Sequence, residues 1–227
     1  MTKSEKKRLK FSFIPPILFL IIMWIVWIFD YSFNLQLYKY GIYPLNLKGF
    51  FGIFFAPFIH GNFNHIFSNT FPFLTLGTAL FFFYKKYAFK VLLLLYFFSG
   101  FWVWLAARSS YHIGVSGIIY GLASFLVFSG LIHKNKALTA ISFAIIFLYG
   151  SMVWGVLPLK PETSWEGHLF GAITGFILTL GFANKKHFVK IADKRIIETE
   201  ISEFSEPTIS NDKFSEIKFY YKEDDII

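Results

Sequence analysis

Apolar residues in this chain fall in long unbroken runs, divided by short stretches rich in lysine, glycine or proline. None of the runs shows the three-or-four-residue alternation of a soluble amphipathic helix, so each is expected to be apolar all round. A helix rises about 1.5 Å per residue and the hydrocarbon layer is about 30 Å thick, so roughly 20 such residues make one crossing. Six segments qualify: Phe13–Phe29, Asn64–Tyr84, Ala88–Ala106, Val115 to about residue 132, Ala137–Leu157 and Trp165–Ala183. The pattern predicts an all-α polytopic membrane protein, a six-helix bundle over residues 13–184. A basic leader, 1–12, precedes it and a charged tail, 185–227, follows.

The first run begins with Pro15 and Pro16, whose missing N–H groups are harmless at a helix start. It is too long for a signal-peptide core and no small-x-small site follows, so it is expected to stay as a transmembrane helix. Residues Tyr31 to Ile59 are aromatic and punctuated by glycine and proline, but Asn34, Gln36, Lys39, Asn46 and Lys48 make a clean crossing unfavourable. An ordered, partly embedded interfacial loop is expected there. Pro72 interrupts the second helix. The tail is expected to be solvated, with Glu216–Tyr221 alternating enough to pair as a small strand.

Composition sharpens this picture. Of 227 residues, 55% are hydrophobic and only 16% charged, which suits a membrane bundle. The net charge of +8 does not imply nucleic acid, because the cations sit between the apolar runs. Six crossings with both termini inside place fifteen Lys and Arg on the cytoplasmic side. The other side has four: Lys39, Lys48, Arg108 and Lys160. That excess fits the positive-inside rule. The absence of cysteine excludes disulfides, thiolate metal sites and a cysteine nucleophile. No residue implies a cofactor.

Polar side chains inside apolar spans are costly and therefore candidates for function. Ser116 opens the fourth helix within Gly114-Val115-Ser116-Gly117-Ile118-Ile119-Tyr120-Gly121. Gly117 and Gly121 form a small-residue face, and Gly167, Gly171 and Gly175 form a matching one on the sixth helix beside His168. Contact between the faces would bring His168 to Ser116, and a neutral imidazole is the usual base for a serine nucleophile. Glu166 is two residues from His168 and faces elsewhere, so a Ser–His dyad is expected rather than a triad. His65 and Asn69, at i and i+4, share one face of the second helix at the depth of Ser116.

These motifs together resemble the rhomboid intramembrane serine proteases. Gly114-Val115-Ser116-Gly117 is similar to the family's Gly-x-Ser-Gly motif. His60 through Asn69 is similar to its His-x-x-x-x-His-x-x-x-Asn motif, and Gly167-His168-Leu169-Phe170-Gly171 to its sixth-helix histidine and glycine. The resemblance covers about residues 10–185. It implies Ser116 as nucleophile, His168 as general base, and an oxyanion hole made by His65, Asn69 and the Ser116 N–H. It also implies that Gly114 shapes the active-site loop and Tyr120 stacks on and orients His168. Single-pass transmembrane proteins would be the substrates and the bilayer the setting. The short six-helix form implies a bacterial inner membrane.

The chain departs from the family in two places: no Trp-Arg pair occurs in the first loop, and Gly167 stands where alanine commonly precedes the base. His60 is expected to be structural, and His112, His133 and His187 to do no chemistry. The Leu157–Ser164 loop and the fifth helix, with Trp154, are expected to act as a gate. Zinc and aspartyl proteases are excluded, because His-Glu-x-x-His is absent and Asp30 is the lone aspartate before the tail. Two alternatives remain: a catalytically silent relative that binds transmembrane clients, and a small transporter, which would need paired broken helices.

Overall fold

The computed structural model describes residues 2–132, 136–159 and 163–183. Its first helix, α1 (Lys3–Phe33), starts ten residues earlier than the apolar run suggests. Thr2 accepts from the Glu5 N–H while the Glu5 side chain accepts from Thr2, a reciprocal capping box that starts the helix in the basic leader. Pro15 and Pro16 consequently lie inside the helix instead of at its start. Pro16 is buried and packs against Gly77, where a Cβ would come within 2.9 Å of its ring.

The connection after α1 is ordered and contains a helix of its own, α2 (Leu47–Phe55), with 3-10 turns at Leu37–Tyr40 and Ala56–Phe58. Asn46 caps α2 by accepting from Lys48 N–H at 2.9 Å and Gly49 N–H at 3.3 Å. The loop has no Trp-Arg pair and is braced from α4 (Ala88–Ala106) instead. Trp104 Nε1 donates to the Asn46 carbonyl at 2.9 Å, Leu45 N–H donates to the Trp104 carbonyl at 3.0 Å, and Tyr96 OH donates to the Phe54 carbonyl at 2.6 Å. An isolated antiparallel bridge joins Ile42 to His112. Trp104→Phe should keep the packing against Phe50 and lose one donor. We expect a loss of about 1 kcal/mol, seen as faster amide exchange around Asn46 with the rest of the molecule unchanged.

The remaining helices are α3 (Phe63–Phe83), α5 (Ser116–Ile132), α6 (Lys136–Tyr149), which passes into a 3-10 segment at Gly150–Val156, and α7 (Trp165–Ala183). Pro72 is accommodated within an unbroken α3. Among the described residues four stretches are long and apolar enough to cross a membrane: α1, α3, α4 and Lys136–Val156. The shorter α5, with 17 residues, is largely enclosed by its neighbours, while α7 buries Thr174 and Thr179 on its packed face and exposes Ile173, Ile177 and Leu180 on the other. Outward faces are apolar, as at Ile14, Leu18 and Ile25 on α1 and Phe143 and Phe147 on α6, in keeping with helices that face lipid. The core lies where α3, α4 and α5 meet, around Phe73, Leu76, Leu95, Leu122 and Phe125.

Lipid tails are as apolar as leucine, so helices in a bilayer associate through close packing and polar links rather than hydrophobic burial. Both are present here. Trp24 bonds Thr70 between α1 and α3, Tyr84 bonds Ser129 between α3 and α5, and Tyr149 bonds Thr75 between α6 and α3. The glycine faces of α5 and α7 meet as expected: a Cβ on Gly171 would fall 2.0 Å from the Gly117 carbonyl oxygen, and one on Gly175 2.2 Å from that of Gly121. The strand expected at Glu216–Tyr221, the tail, His133, His187 and part of the expected gate at 160–162 lie outside the described residues.

Candidate active site

Ser116 is the first residue of α5, so its backbone N–H has no acceptor within the helix and its side chain sits at the mouth of the bundle. His168 lies in the first turns of α7, and the glycine contact between the two helices closes the distance. Ser116 Oγ is 2.8 Å from His168 Nε2. The other ring nitrogen, Nδ1, is 2.8 Å from the Gly155 carbonyl. A carbonyl only accepts, so Nδ1 carries the proton and the Nε2 lone pair of the neutral ring faces the serine hydroxyl. Among the described residues no carboxylate hydrogen-bonds His168: Glu166 turns away and pairs with Arg108.

Tyr120, one turn after the serine, stacks on His168 with ring centroids 4.2 Å apart and planes 8° from parallel. Its hydroxyl donates to the Met152 carbonyl at 2.8 Å. The 3-10 segment after α6 therefore supplies two carbonyls, Met152 and Gly155, that hold the tyrosine and the histidine. Sequence reasoning missed both, since carbonyl placement leaves no residue signature. Gly155 did carry a signal, because a Cβ there would fall 1.9 Å from the Tyr120 hydroxyl and 3.1 Å from His168 Nδ1.

Across the site, α3 brings up His65 and Asn69 from its first two turns, after Asn62 caps the helix by accepting from the His65 N–H at 2.9 Å. Gly114 separates them from the start of α5. Its φ of +102° favours glycine, and a Cβ would fall 2.8 Å from His65 Nε2 and 3.7 Å from Asn69 Nδ2. A second cluster-forming feature is a cavity of about 40 Å³ reaching Ser116, with Ser99, His112 and Ser164 among its polar lining.

A rhomboid-domain family model matches residues 48–185 of the chain. The chain belongs to the rhomboid family. An uncharacterized protein of Mycobacterium bovis is 30% identical over 168 residues, covering 70% of each chain. One of Mycobacterium leprae is 33% identical over 168 residues, covering 70% of this chain and 66% of its own. A shorter match, 31% over 80 residues, relates 32% of this chain to 28% of Rhomboid-type serine protease 2 of Candida albicans.

Within this rhomboid fold the two remaining described histidines are buried and bonded. His60 Nε2 is 3.1 Å from Asn69 Nδ2, which can only donate, so His60 is neutral at Nε2 and fixes which way the amide faces. Burial, with the nearby His65 in second place, lowers the His60 pKa to about 3, the Phe58 carbonyl partly opposing. A folded pKa below the unfolded value of about 6.5 means that the unfolded chain binds the extra proton. This contribution to stability is complete above about pH 6.5 and is lost as the pH falls toward 3. His60→Gln should therefore flatten the fall in melting temperature between pH 6.5 and 4. An undiminished slope would assign it to other groups.

Proposed function

We propose that this chain is an intramembrane serine endopeptidase that cleaves single-pass membrane proteins in or near their transmembrane segments. The observation that supports it is the 2.8 Å Ser116–His168 contact, with the far ring nitrogen held on the Gly155 carbonyl. In this mechanism Ser116 Oγ attacks the scissile carbonyl as its proton passes to His168 Nε2. The carbonyl π pair moves to oxygen, and His65, Asn69 and the Ser116 N–H donate to that oxyanion. Collapse breaks the C–N bond, His168 gives its proton to the departing amine, and Ser116 is left acylated. Water then attacks the ester, its proton goes to Nε2, and the second collapse returns that proton to Ser116 Oγ with release of the new carboxylic acid. The cavity beside Ser116 has room for about two or three waters and is a source for this step.

A helix hides its carbonyls in its own hydrogen bonds, so a substrate must unwind locally, which favours glycine, proline or small polar residues near the cut. The distribution of Lys and Arg supports both termini being cytoplasmic, and the short form supports a bacterial inner membrane. Asn69→Ala removes one oxyanion donor and should lower kcat by about 10²–10³-fold with the protein still folded. The decisive test is fluorophosphonate labelling of the purified full chain, with the modified residue located by mass spectrometry. Labelling at Ser116 that is absent from Ser116→Ala is expected. No labelling of folded protein would sink the reading and favour a silent relative that binds transmembrane clients.

A further inference from the structure

Arg108, His112, Ser164 and Glu166 take no part in the proton transfers above, yet together they join the end of α4 to the start of α7. Arg108 Nη2 donates to the Thr163 carbonyl at 2.8 Å, and its Nε lies 3.6 Å from Glu166 Oε1, which also faces the Arg108 backbone N–H at 3.4 Å. Glu166 is only 4% exposed and sits in the first turn of α7, where the helix dipole favours an anion. Four residues after Arg108, His112 Nε2 lies 3.1 Å from the Arg108 carbonyl. That nitrogen must carry the proton, so Nδ1 accepts from the Ser164 hydroxyl 2.6 Å away. The Ser164 carbonyl in turn accepts the backbone N–H of His168 at 3.3 Å. His112 is itself anchored, exchanging backbone bonds with Ile42 at 2.8 and 3.0 Å.

The α5–α7 contact needs such a device. Glycine faces allow backbones to approach closely but offer no side-chain knobs to fix one helix along the other. A slip of one residue is about 1.5 Å, and misplacing a reacting group by about 1 Å can cost about 10²-fold in rate. We propose that Arg108 and Glu166, backed by His112 and Ser164, form a latch that fixes the first turn of α7 and so keeps His168 Nε2 in reach of Ser116. They are positioning residues, and the effect on rate rests on the proposed protease reading.

The test uses the full chain with histidine rings labelled with ¹⁵N, the His168 signal assigned from H168Q. In wild type the ring is protonated at Nδ1 with Nε2 accepting. R108Q should shift or broaden that signal toward mixed tautomers, and R108K should recover part of it. The limiting rate of fluorophosphonate labelling at Ser116 should fall about ten- to a hundredfold in R108Q, with the half-saturating concentration little changed. E166Q, which keeps its shape, should move both readouts the same way and carries the test if R108Q does not fold. A His168 signal in E166Q and R108Q identical to wild type overturns the latch. An unlabelled wild type would instead refute the protease reading, and the His168 spectra would still decide the latch.

Discussion

On the proposed protease mechanism, alanine at His168 should lower turnover by about 10⁴-fold or more, and the Ser116→Ala/His168→Ala double variant should lose no more than either single one. The geometry dictates both parts. A serine hydroxyl is a weak nucleophile until a base takes its proton, and the Nε2 lone pair 2.8 Å away is the group placed to do so. With the base gone the hydroxyl has no route to alkoxide, and with the hydroxyl gone the base has no proton to take. The two losses are one loss. What survives is whatever the proposed oxyanion donors and substrate binding contribute, and His65 and Asn69 are unchanged in every variant. The measurement is the fluorophosphonate labelling rate beside cleavage of a transmembrane reporter. If His168→Ala kept more than about a hundredth of the wild-type rate, another group would have to be the base.

How much of this could be read from residues alone depended on what kind of feature carried it. Lipid-facing helices announce themselves because each must be apolar for about 20 residues, so α3, α4 and α7 begin and end within a residue of the apolar runs. The glycine series on α5 and α7 predicted a contact, since spaced small residues in a membrane helix have few other uses. α1 was misjudged at its start because a capping box, not hydrophobicity, begins it, and such a cap can hold a charged turn in helix. The helix in the first loop was missed because α2 is too short for a crossing and too apolar for an ordinary surface helix. Within the site, Ser116, His168 and Tyr120 were legible as side chains at helical spacing. The carbonyls of Gly155 and Met152 were not, and neither was the pairing of Arg108 with Glu166, since backbone acceptors and long-range partners are set by the packing of whole elements. His112 looked idle in a loop and turned out to be 3% exposed with both ring nitrogens engaged.

Gly171→Ala is expected to lower both stability and labelling at Ser116, although Gly171 bonds neither Ser116 nor His168. Its added Cβ would fall 2.0 Å from the Gly117 carbonyl oxygen, 2.8 Å from the Gly117 carbonyl carbon and 3.1 Å from its Cα. All three are backbone atoms of a helix, so no rotamer change can make room. Relief requires α5 and α7 to part by about 1 Å, and overpacking of that kind typically costs about 1–3 kcal/mol. Parting also lengthens the Ser116–His168 hydrogen bond, which loses its strength well before 4 Å. We therefore expect a lower melting temperature together with a loss of labelling at Ser116 of about 10²-fold or more in the molecules still folded. Gly181→Ala is the matched control. It adds the same methyl to the same helix, where no heavy atom of a neighbouring described element lies within 4 Å. That variant should fold and label nearly as wild type. Equal behaviour of the two would mean that helix propensity or mere volume, rather than close backbone contact between α5 and α7, governs the site.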